Sequence, residues 1–293
     1  MVPDPRKMKV ILILLLSCCT IGLCAQVKSY DYAYEKKKGI CVYSIAGKTE
    51  VLVTQGHDPC ISPDGTKLAY TVYSKNGNRT IGIIDLTTKQ KTLPHTNSHN
   101  CYGPVWSPDG DYIAYNVFDE QKANWSIAVI NIADGLPRVI TKKQEQCYSP
   151  AWSNDSKSVI AQDLDDIFVF DLGGNIINKY NATDVVKGMG LSSTDRVLLS
   201  PEGRKMIYSC DVDEPGYDGP PSAAFVYDID NKTSVRLSPK GYYATGVWLQ
   251  GGKVLFTGGK IQSMVSNVYV VGLDGKNLKL LFANCSNISA KTQ

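Results

Sequence analysis

The chain has 293 residues, 43% of them hydrophobic and 20% charged, with a net charge of +3. Such a composition belongs to a folded globular chain and excludes a disordered one or a polytopic membrane protein. Residues 1–25 hold Arg6, Lys7 and Lys9 against one acid, Asp4, so the rest of the chain carries only +1, and nucleic acid is excluded as a partner because phosphate binding needs clustered Lys and Arg.

The first segment reads as an address. Val10 to Ala25 is the one long apolar run, 16 residues behind a basic start and ending in small residues. That is the pattern of a secretory signal, and it falls short of the roughly 20 residues a membrane-spanning helix needs. Met8 offers a tidier start than Met1. The cut is placed at Ala25/Gln26, giving a signal over 1–25 and a folded domain over 26–293. A second reading takes Leu15-Leu16-Ser17-Cys18 as a lipid-attachment box, which would anchor the protein to a membrane. The soluble exported form, periplasmic or secreted, is favoured. Three cysteines leave with the signal and six remain: Cys41, Cys60, Cys101, Cys147, Cys210 and Cys285. None forms CxxC. An oxidising compartment permits disulfides, with Cys101–Cys147 the one pair put forward; the other reading has small buried thiols in strands.

Next along the chain comes a repeat. Cys60-Ile-Ser-Pro-Asp-Gly-Thr-Lys-Leu-Ala-Tyr70 returns as Val105-Trp-Ser-Pro-Asp-Gly-Asp-Tyr-Ile-Ala-Tyr115, as Ala151-Trp-Ser-Asn-Asp-Ser-Lys-Ser-Val-Ile-Ala161, as Leu199-Ser-Pro-Glu-Gly-Arg-Lys-Met-Ile-Tyr208 and, one residue shorter, as Val247-Trp-Leu-Gln-Gly-Gly-Lys-Val-Leu-Phe256. The anchors Ser62, Ser107, Ser153, Ser200 and Leu249 are spaced by 45, 46, 47 and 49. Pro presets the first turn dihedral and Gly accepts a positive one, so each segment is a hairpin. A second hairpin follows each: Ile81–Leu86 with Lys91–Pro94, Ser126–Ile132 with Arg138–Thr141, Ile167–Leu172 with Ile176–Tyr180, Phe225–Ile229 with Ser234–Leu237, and Val268–Gly272 with Leu278–Phe282. A sixth, Ile40–Ile45 with Glu50–Thr54, precedes the first anchor. Its missing inner hairpin is split between the chain ends. Tyr32-Ala33-Tyr34 resembles Leu68-Ala69-Tyr70, and Asn287-Ile288-Ser289 resembles Cys60-Ile61-Ser62. Four strands at a period of about 45 residues are a propeller blade. The expected fold is all-β: a six-bladed propeller of four-stranded antiparallel blades, closed by N- and C-terminal strands in one blade, which removes the sheet edges that otherwise invite aggregation.

The Ser-Pro-Asp-Gly…Ala-Tyr repeats resemble the WD-like repeats of the TolB-type β-propellers, over essentially all of residues 26–293. Related blades also occur in oligogalacturonate lyases and in prolyl peptidases. The resemblance is to the propeller alone: strands begin within a few residues of the signal cut, where TolB has an N-terminal α/β domain. It implies a cell-envelope protein whose mouth docks a lipoprotein-like partner.

The loops between blades, and those between a blade's second and third strands, open on the funnel. Mouth residues there are His57, Asp58, His99, Tyr102, Gln146, Tyr148, Asp195, Arg196, Tyr242 and Tyr243. His57, Tyr102 and Tyr148 each lie five residues before an anchor and would put three rings on one rim, as a docking surface or as blade-to-blade packing. Trp106, Trp152 and Trp248 recur near one position and read as inter-blade core. His57, His95 and His99 are the only histidines; as loop residues they share no helical face for a metal. The acidic loop Asp211–Pro221 lacks calcium-loop spacing. Gly47-Lys48-Thr49 lacks the earlier glycine of a phosphate loop, and no Gly-x-Ser-x-Gly elbow occurs. No cofactor or catalytic set is expected. The first functional reading is a monomeric, exported, non-enzymatic module binding an envelope protein or polysaccharide. The second, from the lyase likeness and the three histidines, is a metal-assisted enzyme on an acidic sugar. The third is a small-ligand sensor.

Overall fold

In the computed structural model, residues 29–291 are described except 97, 216–218 and 264. The signal segment and its alternative lipid box lie outside the described residues. No helix among the described residues is long and apolar enough to cross a membrane.

The described strands form six four-stranded antiparallel sheets. Blade 1 comprises His57–Ile61, Lys67–Tyr73, Arg79–Asp85 and Lys91–Thr92. Blade 2 comprises Cys101–Trp106, Tyr112–Asp119, Asn124–Asn131 and Pro137–Val139. Blade 3 comprises Tyr148–Trp152, Ser158–Gln162, Asp166–Asp171 and Ile176–Asn181. Blade 4 comprises Leu198–Leu199, Lys205–Asp211, Ser222–Asp228 and Thr233–Arg236. Blade 5 comprises Tyr242–Gln250, Lys253–Lys260, Asn267–Gly272 and Lys279–Phe282. In blade 6 the C-terminal strand Ser286–Ala290 is innermost and pairs with Tyr32–Lys36, followed by Gly39–Ser44 and Thr49–Thr54. The ring is closed as expected.

The repeat motif earns its place through its turn. In blades 1, 2 and 4 the Gly N–H donates to the anchor Ser carbonyl (Gly65 to Ser62 2.9 Å, Gly110 to Ser107 2.9 Å, Gly203 to Ser200 2.8 Å). Those glycines have φ of 73°, 81° and 72°, which a side chain resists. The anchor hydroxyl then accepts from the N–H five residues on: Lys67 to Ser62 2.8 Å and Tyr112 to Ser107 2.9 Å. The alternating residues of the inner strands bury into clusters at the seams between blades, such as Ile40, Ile61, Leu68 and Ile84 between blades 6 and 1.

Two sequence registers need correction. Ala33 pairs with Ser289 and Tyr32 with Ala290, where Ala69 pairs with Cys60 and Leu68 with Ile61. Ser289 is therefore the equivalent of Cys60, two residues from the proposed alignment with Ser62. Likewise Trp106 and Trp152 face Ile113 and Val159, three residues before Asn116 and Gln162, whereas Trp248 faces Leu255, only two before Thr257. The shorter turn of blade 5 causes the offset, and the indoles consequently reach opposite ways. Trp152 Nε1 donates to Val105 O of the preceding blade at 3.0 Å, and Trp248 Nε1 to Ala290 O of the following blade at 3.0 Å.

The proposed Cys101–Cys147 disulfide is also corrected. All six cysteines of the described residues are free and buried. Cys101 packs with Ile81 and Tyr115, while Cys147 packs with Ile127 and Phe168 in a different cluster. Burial pushes the Cys60, Cys101 and Cys285 thiols up to about 11 and those of Cys147 and Cys210 up to about 12, so little thiolate exists at neutral pH. Native protein treated with iodoacetamide should gain no label on these six, and unfolded protein should gain label on all six, as read by peptide mass. Labelling of any of them in the native state would contradict the buried placement.

Candidate functional site

Antiparallel pairing sends the inter-blade connections and the loops between second and third strands to one face, the mouth, and the Ser-Pro-Asp-Gly turns to the other. Around the mouth runs a belt of polar side chains at one position of each second strand: Glu35, Thr71, Asn116, Gln162, Ser209 and Thr257. All but Glu35 are at most 3% exposed, so each needs partners inside the protein. Three find them on the next blade's inner strand, Gln162 and Ser209 find theirs at Ser192 and Asp195, and Thr257 Oγ1 is buried without one. Glu35 accepts from Asp58 N at 2.7 Å, Thr71 from Gly103 N at 3.0 Å and Asn116 from Ser149 N at 2.9 Å. The residues so held are bulged, with φ of 51° at Asp58, 65° at Gly103 and 53° at Ser149. The bulge re-aims the preceding side chain toward the rim.

That preceding residue is His57, Tyr102 or Tyr148, so the three do occupy equivalent places. His57 is exposed, its Nδ1 3.2 Å from Glu35 Oε2 and its ring 5.1 Å from that of Tyr73. Tyr102 is half-buried beneath Arg79, 4.2 Å from the ring, and edge-on to Trp125 at 5.1 Å. Burial raises its hydroxyl above the usual range. Tyr148 is half-buried and hydrogen-bonds exposed Gln146.

The other sequence candidates scatter. Asp58 accepts from Thr71 Oγ1 at 2.8 Å. Asp195 is 4% exposed and accepts from Ser192 N, Ser192 Oγ and Ser209 Oγ at 2.8, 2.7 and 2.6 Å. Its oxygens are used within the fold, and burial raises its carboxyl above the usual range. Arg196 turns into the central channel. Tyr242 and Tyr243 lie at the outer start of the blade 5 inner strand, with Tyr243 Oη 2.7 Å from Ser266 Oγ. His99 is exposed and lines a cleft of about 1190 Å³ between blades 1 and 2, together with His95, Arg79 and Phe118. Tyr115 Oη at that cleft is buried without a partner, whereas its equivalents Tyr34 and Tyr208 bond Glu50 at 2.5 Å and Val185 O at 2.8 Å. Among the described residues no three His, Cys, Asp or Glu side chains gather as a metal site. In the acidic loop, Glu214 is paired with Arg236.

Residues 25–162 match the TolB beta propeller domain family. The ring is similar to TolB from Acinetobacter baumannii, at 15% identity over 90% of this chain and 66% of that one, with a TM-score of 0.63. It is similar to putative TolB from Agrobacterium tumefaciens, at 20% identity over 90% of this chain and 94% of that one, with a TM-score of 0.63. The ring shares the β-propeller fold of these TolB structures. The β-propeller domain of the Trilobed protease from Pyrococcus furiosus is also similar (18% identity, 77% of this chain, 71% of that one, TM-score 0.50), but is described as having an open velcro topology, whereas the ring here is closed by Ser286–Ala290. No curated protein matches the chain in sequence.

Sequence reasoning missed a further feature of the mouth. Large apolar side chains stand exposed on its loops: Tyr73 at 52%, Leu93 at 63%, Leu164 at 41%, Met189 at 68% and Val265 at 44%. Leu164 also holds φ of 84°, pinned by its N–H on Gln162 Oε1 at 2.7 Å. Backbone strain of this kind persists where the surroundings over-determine it.

Proposed function

We propose that this TolB-like propeller is an exported, non-enzymatic binding module that docks an envelope protein at its mouth. The observation that carries the reading is the set of apolar side chains on mouth loops of different blades. Solvent-exposed apolar surface on a soluble domain is favourable to bury against a partner, and the belt beneath supplies a rigid mounting that lowers the ordering cost of binding. Tyr148 and His57 contribute amphipathic rings to the same rim.

The test is capture from envelope extract with wild-type protein and with a Leu93→Ser/Met189→Ser/Tyr148→Ser variant. A partner retained by the wild type should be lost by the variant, with a change in melting temperature of a few degrees at most, since the exposed Leu93 and Met189 cost about 0.5 kcal/mol or less each and Tyr148 is only half-buried. Leu136→Ser, exposed at 67% on the opposite face, should leave capture intact. Leu164→Gly separates the two roles: it should weaken capture while holding or raising stability by up to about 1 kcal/mol, because left-handed strain is relieved. Capture that survives the mouth variant and fails with Leu136→Ser would overturn the proposal.

A further inference from the structure

Arg196 lies four residues before its anchor, the place held by Asp58, Gly103 and Ser149 in other blades, but without their left-handed backbone. Its side chain points toward the ring axis. It belongs to blade 4, yet its guanidinium lies 5.8 Å from the Trp248 ring of blade 5, and its charge is felt by Cys60 and Asp58 of blade 1 and Tyr102 of blade 2. Only a group near the channel axis can face those three blades together. Among the described residues no carboxylate lies within ion-pair distance of it, and its Nε is buried with no hydrogen-bond partner. Burial works against its charge.

Beside it the turn-face end of the channel widens into a cavity of about 180 Å³. Its walls include Trp106, Trp152, Leu198, Leu199 and Trp248, and no charged side chain lines it. Trp106 Nε1 on this wall is a second buried donor without an acceptor. An apolar cavity of about 150 Å³ is enough to bind benzene.

Arg196 is half-buried; its buried Nε without an acceptor is costly, and a carboxylate is the group whose two oxygens match the guanidinium fork. We propose that the central channel is a binding site for a small monocarboxylate with an apolar body, the carboxylate on Arg196 and the body among the tryptophans. The ligand enters from the turn face, so the site is separate from the proposed docking mouth and does not depend on it.

Calorimetric titration of the full chain with 3-phenylpropionate, and with 3-phenylpropan-1-ol as its uncharged counterpart, tests this. The acid should bind at least tenfold more tightly than the alcohol. Arg196→Met should remove that preference with the melting temperature held or raised, because a buried, unpaired Nε is gone, and Arg196→Lys should keep part of it. Equal binding of acid and alcohol, an acid affinity unchanged in Arg196→Met, no heat with either compound, or inorganic phosphate binding as well as the acid would each overturn the proposal. If Arg196→Met does not fold, the acid-to-alcohol ratio on the wild type decides.

Discussion

Deleting residues 286–293 should cost this propeller its cooperative native state. The segment supplies the innermost strand of blade 6, with Ile288, Ser289 and Ala290 at 4%, 0% and 1% exposure. Its loss removes the ladder to Tyr32–Lys36. It also leaves three buried or partly buried groups without their partners: Ile61 N (3.1 Å to Ser289 Oγ), Trp248 Nε1 (3.0 Å to Ala290 O) and Asp31 (2.7 Å to Lys291). Each orphaned buried group costs about 1–3 kcal/mol, and burying one Ile side chain contributes about 1.5–3 kcal/mol. Together these approach the about 5–15 kcal/mol that holds a typical domain together. The newly bared edge of blade 6, along Tyr32–Lys36, should drive association. Circular dichroism should lose its sharp melt and gel filtration should show aggregates. A truncated monomer melting within a few degrees of the full chain would mean that the closing strand contributes little.

Trp152→Ala should lower the melting temperature by roughly 10 °C. The side chain is 8% exposed, sits in the cluster shared by blades 2 and 3, and spends its indole N–H on Val105 O. Large-to-small changes at buried Trp cost about 3–5 kcal/mol, and 1 kcal/mol moves the midpoint of a domain this size by roughly 2–4 °C. Trp248→Ala should cost less, since that ring is only half-buried. The two should also differ in where the damage falls. Trp248 bonds the closing strand, so its loss should expose blade 6 amides to hydrogen exchange first. Trp152 should loosen the seam between blades 2 and 3. Equal midpoints and the same exchange pattern for both variants would contradict the one-residue offset between them.

What could be read from the sequence followed its turn chemistry. Pro-Asp-Gly and its relatives fix a hairpin locally, so blade number, order and closure were legible from Ser62, Ser107, Ser153 and Ser200. Registers that rest on a resemblance between short strings were not. Asn287-Ile288-Ser289 mimics Cys60-Ile61-Ser62 in letters, but the ladder places it two residues away, because pairing is decided by which side chains reach the seam. The blade 5 deletion shifted Trp248 for the same reason. The rim of His57, Tyr102 and Tyr148 was legible because a repeat makes equivalent positions countable. Asp195 and Arg196 were not, because blade 4 reaches the axis by a longer approach and a two-residue strand, which buries one and turns the other inward. Leu93, Leu164, Met189 and Val265 were missed because exposure depends on which neighbours arrive, and nothing in their own spacing signals it. The free cysteines fall in the same class: equal offsets from an anchor put two thiols in equivalent places on neighbouring blades, but in separate clusters.

The composite blade has a consequence for orientation. Its first two strands begin and end at the turn face: Tyr30 N donates to Gly65 O and Ser29 Oγ to Asp64 O, both at 2.9 Å, while Lys291 lies beside Asp31. Head and tail therefore leave the disc together, on the side away from Leu93 and Leu164. A leash or fusion at either terminus would hold the disc like a dish on a stalk, with its open side presented outward.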